Sequence, residues 1–342
     1  MRVAVIGATG IAGQQALAAL VDHTWFDVTA IAASERSAGK TYKQAITSEA
    51  GQVQWYAGIE LPDRFAKMTV QLGSALDVGN IDIILDCVET SAARQLEEQY
   101  APTTPVVSTA SAFRYEDDVP IFIPGVNLEH AGLLAEQQKR RGWKGFVTPI
   151  PNCTTTGLAM ALAPLYREFG INRVFMTSLQ AISGAGRSPG VSALDIMDNV
   201  IPYIPGEEEK VERETQKILG KLVGSSIDPA TFDVSSTCMR VGVSDGHTES
   251  VFVELEKDAS VDAVEDAMTE FGTDFVGMGL PSSPGALITV SDDPYRPQPK
   301  LDRELEGGMT TVVGRLREDK ALERGIKFVL LSHNTMMGAA KG

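Results

Sequence analysis

The feature that most constrains this chain lies at its start. Arg2-Val3-Ala4-Val5-Ile6 is an apolar run suited to a buried parallel strand, and it leads straight into Gly7-Ala8-Thr9-Gly10-Ile11-Ala12-Gly13 and an alanine-rich helix over about residues 11–21. Residues 27–33 read as a second strand. Strand, glycine turn, helix and strand, in that order, form the setting in which a glycine loop takes a dinucleotide. Glycine permits the tight turn and the close approach of backbone to a pyrophosphate, and the helix N-terminus offers N–H groups to the anion. The alternative is turn chemistry alone. Strand-like segments at 81–86, 105–108 and 145–148 alternate with helical ones at 92–100 and 128–141. This alternation predicts an α/β, Rossmann-type domain over residues 1–150.

The pattern changes after residue 151. A helix over 154–169 carries Leu158, Leu162 and Leu165 at helical spacing, and a strand over 173–182 runs into a glycine-rich turn. A charged helical stretch (207–223) precedes strand-like segments at 233–241, 249–256, 286–290, 310–316 and 327–332, with one helix at 261–271. Long strands with few helices predict an α+β domain over 151–331, with a mostly antiparallel sheet and helices on one face.

Composition removes several classes of function. A net charge of −15 opposes broad binding to nucleic acid or an anionic membrane. The longest apolar runs fall well short of the roughly 20 residues that span a bilayer, and the first residues carry no signal-peptide pattern. Three widely spaced cysteines, Cys87, Cys153 and Cys238, form no CxxC or Cys/His cluster. That argues against a metal site and for a reducing cytoplasm.

One cysteine stands apart. Pro151-Asn152-Cys153-Thr154-Thr155-Thr156-Gly157 precedes the apolar helix, so Cys153 sits at or just before a helix N-terminus. The helix dipole lowers a thiol pKa there, and the same N–H groups are candidates to hold an oxyanion. Cys87 ends an apolar strand and Cys238 lies within one, so both read as packing residues. A thiolate nucleophile needs a proton manager, and the chain has only four histidines. The strand that presents Arg240 turns at Asp245-Gly246 and delivers His247, while Arg240 suits bidentate binding of a carboxylate. After the second strand, Ser34, Arg36, Ser37 and Lys40 suit a 2′-phosphate and favour NADP over NAD, with Glu35 dissenting. A solvated polar loop is the alternative there.

Taken together, these segments resemble the aspartate-semialdehyde dehydrogenases of archaea and fungi. The matching pieces are Gly7–Gly10, Ser34–Lys40, Ala112-Phe113-Arg114, Pro151–Thr155, Gln180–Gly186, Glu207–Lys210, Arg240–His247 and Ser332–Thr335, in family order along nearly the whole chain. The resemblance implies NADPH-dependent reduction of L-aspartyl 4-phosphate to L-aspartate 4-semialdehyde, on the route to lysine, threonine, methionine and isoleucine. It implies Cys153 as nucleophile, His247 as acid/base and Gln180 as substrate-orienting catalytic residue. Arg240 is to grip the α-carboxylate, Arg114 and Lys210 the phosphate, Glu207 the amino end, and Asn152 joins them in the substrate site. Gly7, Thr9, Gly10, Ile11 and Gly13, with Ser34, Arg36 and Ser37, are to hold NADP, and Ser183, Gly184, Gly186 and Asn334 to lie along its nicotinamide. His333 reads as a structural neighbour.

The second domain is expected to build homodimers or homotetramers, with no nucleic-acid or membrane partner and no metal. Spacing alone reads Glu207 and Lys210 as a solvated helix face with ion pairs, and only the resemblance raises them to site residues. Two departures stand out. Asp86-Cys87-Val88-Glu89-Thr90 replaces an expected Ser-Ala-Leu-Pro near the cofactor. The family usually continues past Gly342 into a last helix that packs back on the cofactor domain, and the C-terminal segment, about residues 332–342, is expected to pack back onto that domain here. Malonyl-CoA reductase, with the same fold and the same thiol chemistry on a CoA thioester, is the nearest rival, but its substrate lacks phosphate and an amino group and has less need of Glu207 and Lys210. N-acetyl-glutamyl-phosphate reductase fits the Gln180 and Arg240 segments less well, and a non-catalytic NADP-binding redox sensor leaves Arg240–His247 unexplained.

Overall fold

The structure is a computed structural model that describes residues 1–186 and 193–342. The chain forms two compact units, Met1–Pro120 with Ala131–Ile150, and Ile121–His130 with Pro151–Gly342.

In the first unit, β1 (Arg2–Ile6), β2 (Asp27–Ala33), β3 (Val70–Leu72), β4 (Ile83–Asp86), β5 (Val106–Ser108) and β6 (Val147–Pro149) form one sheet in the order β3-β2-β1-β4-β5-β6. Every neighbouring pair is parallel. This is the Rossmann order, whose direction reverses between β1 and β4, where ligands of such sheets bind. Val3 and Val5 enter one apolar cluster while Ala4 and Ile6 enter another, so both faces of β1 are buried. Helices α1 (Ile11–Ala19), α2 (Thr90–Tyr100) and α3 (Gly132–Arg141) complete the unit.

The three glycines of the first turn have separate reasons to be glycine. Gly7 has φ +75°, and a Cβ there would lie 2.6 Å from the Cys87 carbonyl oxygen. A Cβ on Gly13 would strike the Gly7 carbonyl, so α1 packs tightly on the end of β1. A Cβ on Gly10, the N-cap of α1, would meet only the Gly7 carbonyl at 3.4 Å. Turn, backbone approach and helix–strand packing are the three roles that a dinucleotide fingerprint assigns to its glycines.

In the second unit, β7 (Ile171–Gln180), β8 (Val200–Ile201), β11 (Asp233–Val241), β12 (His247–Leu255), β13 (Ile288–Ser291), β14 (Thr311–Asp319) and β15 (Gly325–Ser332) form a sheet in the order β13-β14-β15-β12-β7-β11-β8. The short hairpin of β9 (Lys221–Val223) and β10 (Ser226–Asp228) stands apart from it. Four neighbour pairs are antiparallel and two, β13–β14 and β7–β11, are parallel, giving a mixed sheet. Helices α4 (Cys153–Phe169), α5 (Glu207–Ile218) and α6 (Val261–Glu270) belong to this unit. The buried core runs from Leu158, Leu162 and Leu165 of α4 to Val251 and Val253 of β12 and Phe328 and Leu330 of β15.

Two parts of the expected division differ. Ile121–His130 belongs to the second unit, because Ile121, Ile123 and Val126 join its core and the His130 ring meets Asn127 Nδ2 at 3.0 Å and the Gly220 carbonyl at 3.1 Å. Residues 332–342 also group with the second unit rather than with the first. Among the described residues, no helix is long and apolar enough to cross a membrane.

Candidate active site

α4 begins at Cys153 itself. Asn152 caps it, its Oδ1 accepting from the N–H groups of Thr154 (2.9 Å) and Thr155 (3.2 Å). This corrects one expectation. Two of the helix-end donors proposed for an oxyanion are already bonded to the cap. Asn152 is buried and locked from all sides, since its own N–H donates to Glu214 Oε2 at 2.7 Å and its Nδ2 to Glu207 Oε1 at 2.9 Å. Glu207 and Glu214 lie two turns apart on α5, so one helix face holds the start of another.

The thiol faces His247, the first residue of β12. Cys153 Sγ lies 3.2 Å from His247 Nε2. The ring is fully buried, and burial pushes its pKa down to about 3, with the Arg240 charge acting in the same direction. Its other nitrogen, Nδ1, accepts the Ala181 N–H at 3.0 Å. The Ala181 carbonyl in turn accepts from Arg240 Nη1 at 2.7 Å. One peptide segment just past the end of β7 therefore aligns both side chains. Gly184 lies against the same pair, because a Cβ there would stand 2.9 Å from Arg240 Nη1 and 3.1 Å from His247 Cε1.

Arg240 is buried and makes no ion pair among the described residues, and its Nε has no hydrogen-bond partner there. Burial lowers its pKa, while Cys153 and Glu207 pull it back up. A desolvated guanidinium without a carboxylate is a site for an anion. Next to it, Gln180 Nε2 donates to Ser178 Oγ and to Glu207 Oε1, each at 3.2 Å. Lys210 Nζ stands 3.7 Å from Glu207 Oε2. Asn334 joins the remaining expected positions, its Nδ2 donating to Ser183 Oγ and its Oδ1 accepting the Gly246 N–H, both at 2.9 Å. Gly186 has φ +70°, which favours glycine.

Cys153, His247, Gln180, Asn152, Glu207, Lys210, Arg240, Ser183, Gly184, Gly186 and Asn334 all lie in the second unit. Arg114 lies in the first, where it is buried and donates to the Thr109 carbonyl at 2.9 Å. Gly7, Thr9, Gly10, Ile11, Gly13, Ser34, Arg36 and Ser37 belong to that unit too. Ser34 and Arg36 are exposed in the turn after β2, whereas Ser37 is buried and donates its N–H to the Ser34 carbonyl. Cys238 is fully buried and its pKa is pushed up to about 12, and burial raises the Cys87 thiol as well.

Four groups at this site escape a reading by residue type. Ala181 acts only through its main chain. Glu214 carries no motif. Gly338 presses its backbone on the nucleophile, since a Cβ there would lie 2.9 Å from Cys153 Cβ. Glu249 sits two residues beyond His247 on the same face of β12, fully buried, with neither carboxyl oxygen bonded among the described residues. Burial raises its pKa well above the ordinary value. The unfolded chain ionises first as pH climbs, so this residue costs stability from the ordinary glutamate pKa up to the raised one. Glu249→Gln is therefore expected to stabilise the protein at neutral pH. Its lead over the wild type should widen by about 1.4 kcal/mol per pH unit across that window. Urea unfolding at several pH values checks this, and parallel pH curves for the two proteins would contradict it.

Comparison with known proteins places the chain in a family. Residues 2–133 match the model of the semialdehyde dehydrogenase NAD binding domain, and residues 162–337 that of the semialdehyde dehydrogenase dimerisation domain. The aspartate-semialdehyde dehydrogenase of Methanothermobacter thermautotrophicus is 44% identical over 340 residues, covering 99% of this chain and 96% of that one. The Saccharomyces cerevisiae enzyme of the same name is 40% identical over 350 residues, covering 98% and 93%. The crystal structure of the Candida albicans aspartate semialdehyde dehydrogenase with NADP superposes with a TM-score of 0.87 at 38% identity, covering 99% and 95%. From glycine turn to nucleophile, and over nearly its full length, this chain belongs to the aspartate-semialdehyde dehydrogenase family.

Proposed function

We propose that this protein reduces L-aspartyl 4-phosphate to L-aspartate 4-semialdehyde with NADPH, through a thioester on Cys153, in the biosynthesis of lysine, threonine, methionine and isoleucine. The observation that carries the reading is the Cys153–His247 contact at the start of α4, set beside a buried Arg240 that lacks a carboxylate partner among the described residues. Arg240 takes the α-carboxylate, Gln180 orients the acyl group, and Glu207 receives the amino end. Lys210 and Arg114 hold the phosphate, whose departure leaves negative charge that cations stabilise. Asn152 fixes the Cys153 backbone through its cap.

The glycine turn fits a dinucleotide, with Gly7, Thr9, Gly10, Ile11 and Gly13 at the pyrophosphate. Ser34, Arg36 and Ser37 lie at the 2′-phosphate and support NADP over NAD. Ser183, Gly184, Gly186 and Asn334 lie along the nicotinamide. Bound there, NADPH supplies the hydride. We also infer a homodimer or homotetramer built through the second unit. Phe175 and Leu179, exposed on one face of β7, support an interface on that face of the sheet. A cytoplasmic location suits the reduced thiols.

The test pairs two assays. Reduction of NADP by aspartate semialdehyde plus phosphate is expected, with no oxidation of NADPH by malonyl-CoA. Activity with malonyl-CoA alone would replace the proposed substrate.

A further inference from the structure

We propose that Tyr42 and Gln14 are positioning residues for the cofactor: each holds a carbonyl of the glycine turn, and Tyr42 thereby ties the loop read as the 2′-phosphate site to the turn read as the pyrophosphate site. The inference rests on the NADP reading above and adds to it two side chains that act through the backbone of Ala8 and Thr9.

Both carbonyls in the middle of the turn are held from the protein interior. Tyr42 Oη donates to the Ala8 carbonyl at 2.7 Å. Gln14 Nε2 donates to the Thr9 carbonyl at 3.3 Å and to the Gln54 carbonyl at 2.9 Å. Gln14 is anchored at its other end as well, where Oε1 accepts the Tyr56 N–H at 2.7 Å. Tyr42 and Gln14 are fully buried. Burial raises the Tyr42 pKa, so the hydroxyl keeps the proton that it donates. The Trp55 ring meets the Tyr42 ring edge-on, with centroids 6.2 Å apart.

Peptide geometry turns these contacts into directions. A trans peptide points its N–H away from its carbonyl. With the Ala8 carbonyl turned to Tyr42, the Thr9 N–H faces the opposite side, and among the described residues it donates to nothing. Ala8 is held on its other side too, because its own N–H donates to the Ala32 carbonyl of β2 at 3.2 Å. The next peptide is fixed in the same manner. Its carbonyl, on Thr9, accepts from Gln14, and its N–H, on Gly10, donates to the Gly7 carbonyl at 2.9 Å. α1 then begins without a side-chain cap, which leaves the N–H groups of its first turn open. An uncapped helix start beside an aligned turn N–H is a donor set that suits a pyrophosphate.

Tyr42 reaches this turn from the other loop. It lies two residues beyond Lys40, where Ser34–Lys40 ends. That loop is fastened to β3, since the Gly39 N–H donates to the Val70 carbonyl at 2.8 Å and the Val70 N–H to the Lys40 carbonyl at 2.9 Å. The Tyr42 N–H donates to the Met68 carbonyl at 2.8 Å. Thr41 caps the short helix Tyr42–Ala45, and Gln44 Oε1 accepts the Thr41 N–H at 3.0 Å in return. The main chain of Tyr42 is thus set by the second loop, while its hydroxyl sets the first.

The test is isothermal titration of the full-length protein with NADPH, beside steady-state kinetics. Tyr42→Phe keeps the ring and leaves the buried Ala8 carbonyl without its donor. Gln14→Met keeps the length of the side chain and removes the second donor. Each variant is expected to bind NADPH about tenfold more weakly, in line with one lost hydrogen bond to a buried carbonyl. The KM for NADP should rise in step, while kcat at saturating NADP and the KM for aspartate semialdehyde stay at the wild-type level. Adenosine 2′-monophosphate, titrated as a competitor of NADPH, is expected to keep its affinity for Tyr42→Phe, because Ser34–Lys40 retains its bonds to β3. Wild-type affinity for NADPH in either folded variant would overturn the inference. An equal loss for adenosine 2′-monophosphate would also overturn it, since the variant would then disturb the whole unit and not the turn. Should Tyr42→Phe not fold, Gln14→Met decides alone. Wild-type protein that binds no NADPH would sink the cofactor reading together with the inference, whereas wild type and variants that bind it equally would sink the inference alone.

Discussion

Cys153→Ser is expected to lower turnover on the order of 10⁴-fold or more while the protein stays folded, as loss of a covalent nucleophile does elsewhere. The substitution keeps the size of the side chain and the cap at Asn152, so α4 has no reason to fray. What it removes is the thiolate. A serine hydroxyl in the same place has a far higher pKa and is a much weaker nucleophile at neutral pH. The other two cysteines offer no substitute, because burial raises both thiols. Steady-state rates, with circular dichroism as the folding control, check the result. A serine variant within tenfold of wild type would remove the covalent step from the mechanism.

Arg240→Lys is expected to lower kcat/KM by about 10²–10³-fold. Breaking one partner of a buried, hydrogen-bonded charge pair typically costs about 2–5 kcal/mol. The guanidinium has two proposed tasks. Nη1 clamps the Ala181 carbonyl, and Nε, which has no partner among the described residues, is left for the proposed substrate carboxylate. A lysine is a point charge without the planar fork and cannot perform both. Because Ala181 also positions His247, the loss should appear in kcat as well as in KM. A change confined to KM would mean that Arg240 binds substrate without aligning the imidazole.

How much of this was legible in the sequence depends on what kind of atom does the work. The Gly7–Gly13 turn could be read because its reasons are local: a positive φ at Gly7, the helix end at Gly10 and close packing at Gly13. Cys153 and His247 could be read as a nucleophile and its partner from residue type and context, although 94 positions separate them. Ala181 could not, because its contribution is a main-chain N–H and C=O that any residue would supply. The glutamates of α5 misled in a similar way. Their spacing fits a solvated face, yet Glu208 accepts from the Cys238 N–H at 2.9 Å and Glu212 from the Ser236 N–H at 3.0 Å. Carboxylates there satisfy the donors of a strand edge, which no sequence pattern reveals.

Element boundaries moved for equally physical reasons. The strand expected to run on to residue 182 ends at Gln180, where the chain turns to serve His247 and Arg240. The helix expected over 128–141 is a short 3₁₀ turn, Leu128–Ala131, followed by the helix Gly132–Arg141, because His130 anchors its start in the second unit. The last segment was expected on the first domain and instead lies against Cys153, where Gly338 has no side chain to hold it off.

The covalent role of Cys153 is open to one direct measurement, made in the oxidative direction without phosphate. The protein is mixed with aspartate semialdehyde and NADP, the first NADPH formed is counted, and the peptide containing Cys153 is weighed. The expected result is a burst of one NADPH per chain and an aspartyl adduct on Cys153, with steady turnover beginning only when phosphate is added. An unmodified Cys153 peptide with no burst, from protein that turns over once phosphate is present, would contradict the thioester mechanism.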